Sequence, residues 1–449
     1  MNIAPAPPAG KCAIVHCSMS DLFAARAQMG MSLAFHIVFA SIGIALPVMT
    51  VLAEWLAHLT GDDGYRQLAR RWAKGLAVLF AVGAVSGTVL SFELGLLWPR
   101  FMRFAGAVIG IPFSLEGFAF FAEAILLGVY LYGWDRIPSR MHRLAGVIVA
   151  VSGAASSVFV VMVNAWMNAP AGVTVSGGEI TDVALLAGMR SPAALAQSLH
   201  MLFAAYAATG LGAAGVHAFM VLRGAATAFH RKALMVALMV GAPAAVLQPF
   251  AGDLEGRMVA RTQPVKLAAL EGQFVTEAGA PLRIGGLPDA TAHRTRIAIE
   301  IPGGLAFLAY GDPGARVRGL DAFPRGDWPP VVPVHLAFQL MVAAGLAMAV
   351  VAAAAMVRAW RRHDLEHRRG LLRALVVVAP LGFVAIEAGW TVTELGRQPW
   401  IIQGILRTSD AVTPMPALPV PFFAFSVVYL FLSAVVVAVI RSQVRETAS

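Results

Sequence analysis

The feature that most constrains this chain is a series of apolar stretches long enough to cross a lipid bilayer. A spanning helix needs about 20 mostly apolar residues. Nine stretches qualify, at 30–53, 74–98, 112–134, 144–168, 196–222, 230–250, 332–357, 371–392 and 420–441. In hydrocarbon each backbone N–H and C=O needs a partner within its own segment, which makes such stretches helices. The expected fold is therefore an all-α polytopic membrane protein, a bundle of nine transmembrane helices. Composition agrees, since 58% of the residues are hydrophobic and only 13% charged, against roughly 25% charged in soluble domains. Disorder, which needs low hydrophobicity and high charge, is excluded on the same grounds. The spans divide the chain into an N-terminal extension (1–28), a six-helix part (29–250), a long loop (251–331) and a three-helix part with a short tail (332–449).

The net charge of +9 would suit nucleic acid, but its distribution points to topology. The connections after spans 1, 3, 5 and 7, with the tail, hold 18 Lys and Arg, against seven in the short segments of the other side and nine in 251–331. The positive-inside rule then places the N-terminus and the long loop outside, in the periplasm, and the C-terminus in the cytoplasm. The lipid bilayer is the expected partner and nucleic acid is not. Residues 1–18 lack an apolar core of signal-peptide length, and Met19 opens MSDLFAARAQMG, an amphipathic lead into span 1. Translation is accordingly expected to start at Met19. Cys12 and Cys17 make neither a disulfide framework nor a C-x-x-C-H haem attachment. The sequence contains no internal repeat, Gly-x-Gly-x-x-Gly fingerprint or P-loop.

Ionisable side chains inside spans are costly, which makes each a functional candidate. The sequence has His36 in span 1, Glu93 in span 2, Glu116 and Glu123 in span 3, His200 and His217 in span 5, and Glu387 and Glu394 in span 8. Glu116 and Glu123 are seven residues apart, so they share a helix face about 10 Å apart along the axis. That spacing suits a proton relay and equally a pair of interhelical hydrogen bonds. His36 (SLAFHIVF) and His200 (SLHMLFAAY) can ligate haem or metal as neutral imidazoles, or simply pack. Met341 looks like any core methionine. The stretch IEAGWTVTELGRQPW (386–400) gathers Glu387, Trp390, Glu394, Arg397 and Trp400 at one membrane edge. An arginine there can hold a propionate or another anion, and tryptophan favours that interface. By itself the stretch describes a buried polar site and no more.

GWTVTELGRQPW (389–400) resembles the G-W-x-x-x-E-x-G-R-Q-P-W signature of subunit I of cytochrome bd-type quinol oxidases. The likeness continues through LAFH, LEGFAFFAE, GWDR, VNAWMNAP (163–170), SLHMLFAAY, KLAALE (266–271) and FQLMVAAG (338–345). It implies a respiratory terminal oxidase of the bacterial inner membrane. Ubiquinol would be oxidised at the outer face and O2 reduced to water with protons from the cytoplasm. His200 and Met341 would be the axial ligands of a low-spin haem b. His36 and Glu394 would each ligate one of two high-spin haems, a haem b and either haem d or a third haem b. Which of the two binds O2 stays open. Glu116 and Glu123 match the proton-pathway glutamates, Arg397 the signature arginine beside the haem pair, and Trp390 a possible electron-transfer aid next to it. Lys266 and Glu271 match a quinol-site pair in the loop, Glu271 as proton acceptor and Lys266 orienting the head group. The likeness also implies a second subunit (subunit II), with small single-helix subunits as further partners.

Two departures stand out. Gln339 occupies a position where many members have arginine, which removes a positive charge near the low-spin haem. The outer loop lacks the long insert of some relatives and, with SFELGLLWPRF in span 2, sides with the cyanide-insensitive branch. The alternative from another class is a proton-coupled transporter, which would also bury carboxylates and histidines. It would be expected to show internal repeats or broken helices. A non-catalytic subunit of a respiratory complex is the third reading.

Overall fold

The computed structural model describes residues 20–224, 228–362 and 364–448. Cys12, Cys17 and the proposed start at Met19 lie outside the described residues. The long helices are α1 (Asp21–Thr60), α2 (Asp63–Leu97), α3 (Pro99–Tyr132), α4 (Ser139–Asn168), α5 (Ala194–Leu222) and α6 (Ala228–Thr262). A short α7 (Pro264–Glu271) opens the long loop, and α8 (Val331–Met356), α9 (Arg369–Val378), α10 (Leu381–Leu395) and α11 (Pro419–Ala448) complete the bundle. Among the described residues, nine helical stretches are long and apolar enough to cross a membrane, with α9 and α10 forming one of them. Each of the nine expected stretches is one of these.

The helices overrun the apolar windows because their polar ends carry their own caps. Ser20 accepts a hydrogen bond from the Phe23 N–H at 3.3 Å and starts α1. Gly61, at φ 68°, stops it, and Asp62 caps α2 by accepting from the Gly64 N–H at 2.8 Å. Small residues let helices approach closely. A Cβ on Gly210 of α5 would lie 2.4 Å from Gly241 Cα of α6, and one on Gly382 of α10 would lie 2.4 Å from Ala208 Cα. Such contacts replace the hydrophobic effect as the source of helix association in lipid.

One boundary is corrected. Residues 251–262, read as loop, continue α6 to Thr262. An Asp253–Arg257 pair at 2.9 Å supports this turn, and Met258, Val259 and Ala260 are buried against α7 and the loop. The charge of the segment hid its helical period. The remaining loop is folded, not a spacer. Three antiparallel ribbons pair Glu277–Ala278 with Arg316–Val317, Leu282–Ile284 with Ile299–Ile301, and Leu287–Asp289 with Arg294–Arg296. Phe274, Leu305, Val317 and Leu320 form a core with α7 beneath them. A hairpin of β1 (Val173–Ser176) and β2 (Glu179–Val183) between α4 and α5 was not foreseen. Gly177 and Gly178 close it, both at positive φ.

Candidate functional site

A cavity of about 1710 Å³ runs through the bundle from the loop into the helices. Pockets for one small ligand span roughly 300–1,000 Å³, so this space has room for several large groups. It is lined by all ten residues to which the family resemblance gives a role. His36, His200, Met341 and Glu394 lie along it, with Glu116, Glu123 and Trp390. Arg397, Lys266 and Glu271 line it as well.

Each candidate iron ligand is backed by a residue that leaves room beside it. His36 on α1 holds Nδ1 3.0 Å from Ser86 Oγ on α2, and a Cβ on Gly87 would meet its ring at 3.0 Å. His200 on α5 has the Gln248 amide of α6 at 3.2 and 3.3 Å from its two ring nitrogens, with Gly252 one turn further along α6. Met341 on α8 turns its sulfur toward Gly389 of α10, where a Cβ would lie 3.1 Å away. A larger residue at any of these glycines would compete for the space beside a ligand.

Glu394, near the end of α10, accepts from Asn164 Nδ2 of α4 at 2.7 Å and from Arg397 Nη2 at 2.5 Å. A carboxylate has about four lone-pair sites, so both bonds orient it and still leave it able to coordinate. Arg397 is 2% exposed, yet its Nε and Nη1 have no hydrogen-bond partner among the described residues. A buried guanidinium with two unused donors is costly unless an anion meets it. The cavity size, the cleared ligand positions and these donors together fit haem with a propionate at Arg397. Trp390 lies one turn before Glu394 on the cavity wall.

Lys266 and Glu271 both line the cavity but do not form a pair. Five residues on one helix place them about 140° apart. Lys266 donates to Asn168 Oδ1 at 3.2 Å and to the Thr393 carbonyl at 3.3 Å, beside Glu394 and Arg397. Burial lowers the pKa of this ammonium. Glu271 is 4% exposed, with Oε2 unpartnered. Burial raises its pKa to about 7, opposed by the Arg283 charge. The carboxylate thus stands at the loop side, while the lysine stands with Glu394.

Glu116 accepts from Ser156 of α4 at 3.2 Å, and Glu123 packs against Gly153, where a Cβ would lie 3.1 Å from its oxygen. The two carboxyls share the α3–α4 seam. Other buried ionisable groups have local partners. Glu93 accepts from Gln28 and Ser32 at 3.0 and 2.9 Å, His217 meets His230 at 3.0 Å, and His335 reaches the Leu270 carbonyl at 2.7 Å. Glu387 is not among the residues lining the cavity, although it shares a helix face with Glu394. Sequence reasoning missed Asn164, Ser86, Gln248 and Arg283. The first three are amide or hydroxyl side chains inside apolar spans, a signal of the same kind as the buried charges.

The sequence model of the family described as cytochrome bd terminal oxidase subunit I matches residues 24–448. A Bacillus subtilis (strain 168) protein provisionally named cytochrome bd menaquinol oxidase subunit I is 38% identical over 95% of this chain and 97% of its own length. A second protein of that organism, cytochrome bd ubiquinol oxidase subunit 1, is 31% identical over 96% of this chain and 95% of its own. Among solved structures, bd oxidase from Geobacillus thermodenitrificans superposes with a TM-score of 0.90 at 36% identity, covering 95% of this chain and 98% of that one. The transporter alternative finds no support in these relationships. The chain belongs to the cytochrome bd terminal oxidase subunit I family, whose members are haem-bearing membrane oxidoreductases of the bacterial respiratory chain.

Proposed function

We propose that this chain oxidises quinol at the loop end of its cavity and reduces O2 to water deeper in the bundle, as a multi-pass protein of the bacterial inner membrane. The observation that carries the reading is the one cavity shared by His200, Met341, His36 and Glu394, with the unpaired donors of Arg397 at its rim. His200 and Met341, on α5 and α8, would together hold a low-spin haem b, which would supply electron transfer there. His36 and Glu394 would each hold one high-spin haem, one of them haem b and the other haem d or a third haem b. Bound haem supplies one-electron transfer and an iron site for O2. Asn164 and Arg397 keep Glu394 in place, and Arg397 offsets propionate charge. Trp390 stands beside that pair.

Glu271 takes a proton from a quinol hydroxyl in a buried setting where its carboxyl titrates near neutrality. Glu116 and Glu123 deliver protons along the α3–α4 seam. The Lys and Arg asymmetry supports a loop outside and a C-terminus in the cytoplasm. Protons are then released outside and consumed from inside, and charge separates without a pump. Residues 251–331 form the quinol-binding part. Lys266 belongs, by its contacts, with the Glu394 cluster and not with the quinol head group. A subunit II completes the oxidase, with small single-helix subunits alongside. The relatives are named for both menaquinol and ubiquinol oxidation, so the shared chemistry is that of a quinol. The cyanide-insensitive character is read from O2 consumption in cyanide.

The test is quinol-driven O2 consumption by the purified complex, with Glu271→Ala as the diagnostic variant. The variant should reduce its haem more slowly with quinol while binding O2 normally once reduced chemically. Equal impairment of both steps would contradict a loop-end quinol site.

A further inference from the structure

Glu271 has an unpaired, buried oxygen on the cavity wall, and the charged neighbour acting on it comes from the loop. That neighbour is Arg283, which also lines the cavity. For a loop residue it is unusually enclosed, with its side chain 12% exposed. Its Nε donates to Glu300 at 2.9 Å, and its Nη1 donates to Gln273, which is itself fully buried. The backbone around it is fixed from the bundle. Gln339 of α8 donates to the Arg283 carbonyl at 3.0 Å and accepts from the Gly285 N–H at 3.0 Å. One turn earlier, the His335 ring lies between two carbonyls, 3.2 Å from the Gly285 oxygen and 2.7 Å from the Leu270 oxygen, next to Glu271, and an imidazole with one N–H donates to one of them. One helix therefore ties together the turn that carries Arg283 and the helix end that carries Glu271. The same helix carries Met341 two residues after Gln339.

We propose that Arg283 is a quinol-positioning residue, a guanidinium carried in by the loop and locked by Gln339, which holds the head group against Glu271. The chemistry fits the ligand. A quinol presents hydroxyl oxygens that accept hydrogen bonds, and negative charge builds on an oxygen as its proton leaves. A planar guanidinium stabilises such an oxygen and fixes the ring plane. Oxidation of one quinol releases two protons and two electrons, and Arg283 takes neither. Gln339 becomes a clamp for a cation supplied from outside the helix. The inference rests on the loop-end quinol reading.

The test measures steady-state kinetics with decylubiquinol, equilibrium binding of a non-oxidisable quinone analogue, and the low-spin haem potential in the assembled oxidase. Arg283→Gln should raise KM and the analogue Kd about tenfold, the loss expected when a charge-assisted hydrogen bond is removed. Arg283→Lys should recover part of this, and the haem potential should stay unchanged. Gln339→Ala should move KM in the same direction by freeing the turn, and serves if Arg283→Gln does not assemble. Unchanged KM and Kd in Arg283→Gln, or in both of the other variants, would overturn the proposal. A shifted haem potential with unchanged KM would overturn it too, by assigning the guanidinium to a propionate. Glu271→Gln separates the two ideas, because wild-type turnover there refutes the base assignment while leaving the Arg283 effect on binding to be judged separately.

Discussion

Glu271 carries the most direct pH signature at the scale of single residues. Burial raises its carboxyl pKa to about 7, and Arg283 holds it from going higher. The proton acceptor is the ionised form, whose fraction grows as pH rises through that value. Quinol kcat/KM should therefore climb between about pH 6 and pH 8 and then level off. In Glu271→Gln this limb should vanish along with most of the turnover. A variant that kept the same limb would show that another group sets it. Much of the residue-level site was legible, because a buried ionisable side chain in a span is expensive and therefore rarely there without use. His36, His200, Glu116, Glu123 and Glu394 could be picked out that way. Met341 could not, since a thioether costs nothing in a core, and only the likeness to other chains distinguished it. The different surroundings of Lys266 and Glu271 were not legible, because closeness in sequence says nothing about which way two side chains leave a helix.

Among the helices, the α5–α6 contact is one of the tightest. Gly210 and Gly241 face each other with no room for a side chain on either, since a Cβ on Gly241 would lie 2.7 Å from Gly210 C. This seam places His200 on α5 opposite Gln248 and Gly252 on α6. Gly241→Leu should push the helices apart and cost about 1–3 kcal/mol, as overpacking does. Thermal unfolding in detergent should show a lower midpoint, with haem content falling alongside. An unchanged midpoint would mean that the seam is looser than described. The spans themselves could be read from hydropathy because hydrocarbon permits so few backbone solutions. The end of α6 could not, since Asp253, Arg257 and Arg261 break the apolar pattern while the backbone stays helical. The loop ribbons were equally hidden, being pairs only two or three residues long.

For the whole molecule, the arrangement is one continuous cavity with different chemistry at its two ends. The loop end offers a carboxyl that titrates near neutrality with the Arg283 guanidinium acting on it, and the interior offers stacked carboxyls on α3. Proton release and proton uptake can then occur at separate places joined by electron transfer, which is how the reaction separates charge across a membrane. Overall charge could not foretell this. The +9 balance is a sum over the whole chain, and the informative charges are the few placed inside the bundle.

The central claim is that side chains of this cavity hold the haem that links its two ends. It is tested by reduced-minus-oxidised spectra of the purified wild type beside His200→Ala. The account predicts haem bands in the wild type and selective loss of the low-spin haem b signal in the variant, with the high-spin signals retained. Identical spectra from the two proteins, or no haem in the wild type, would contradict it.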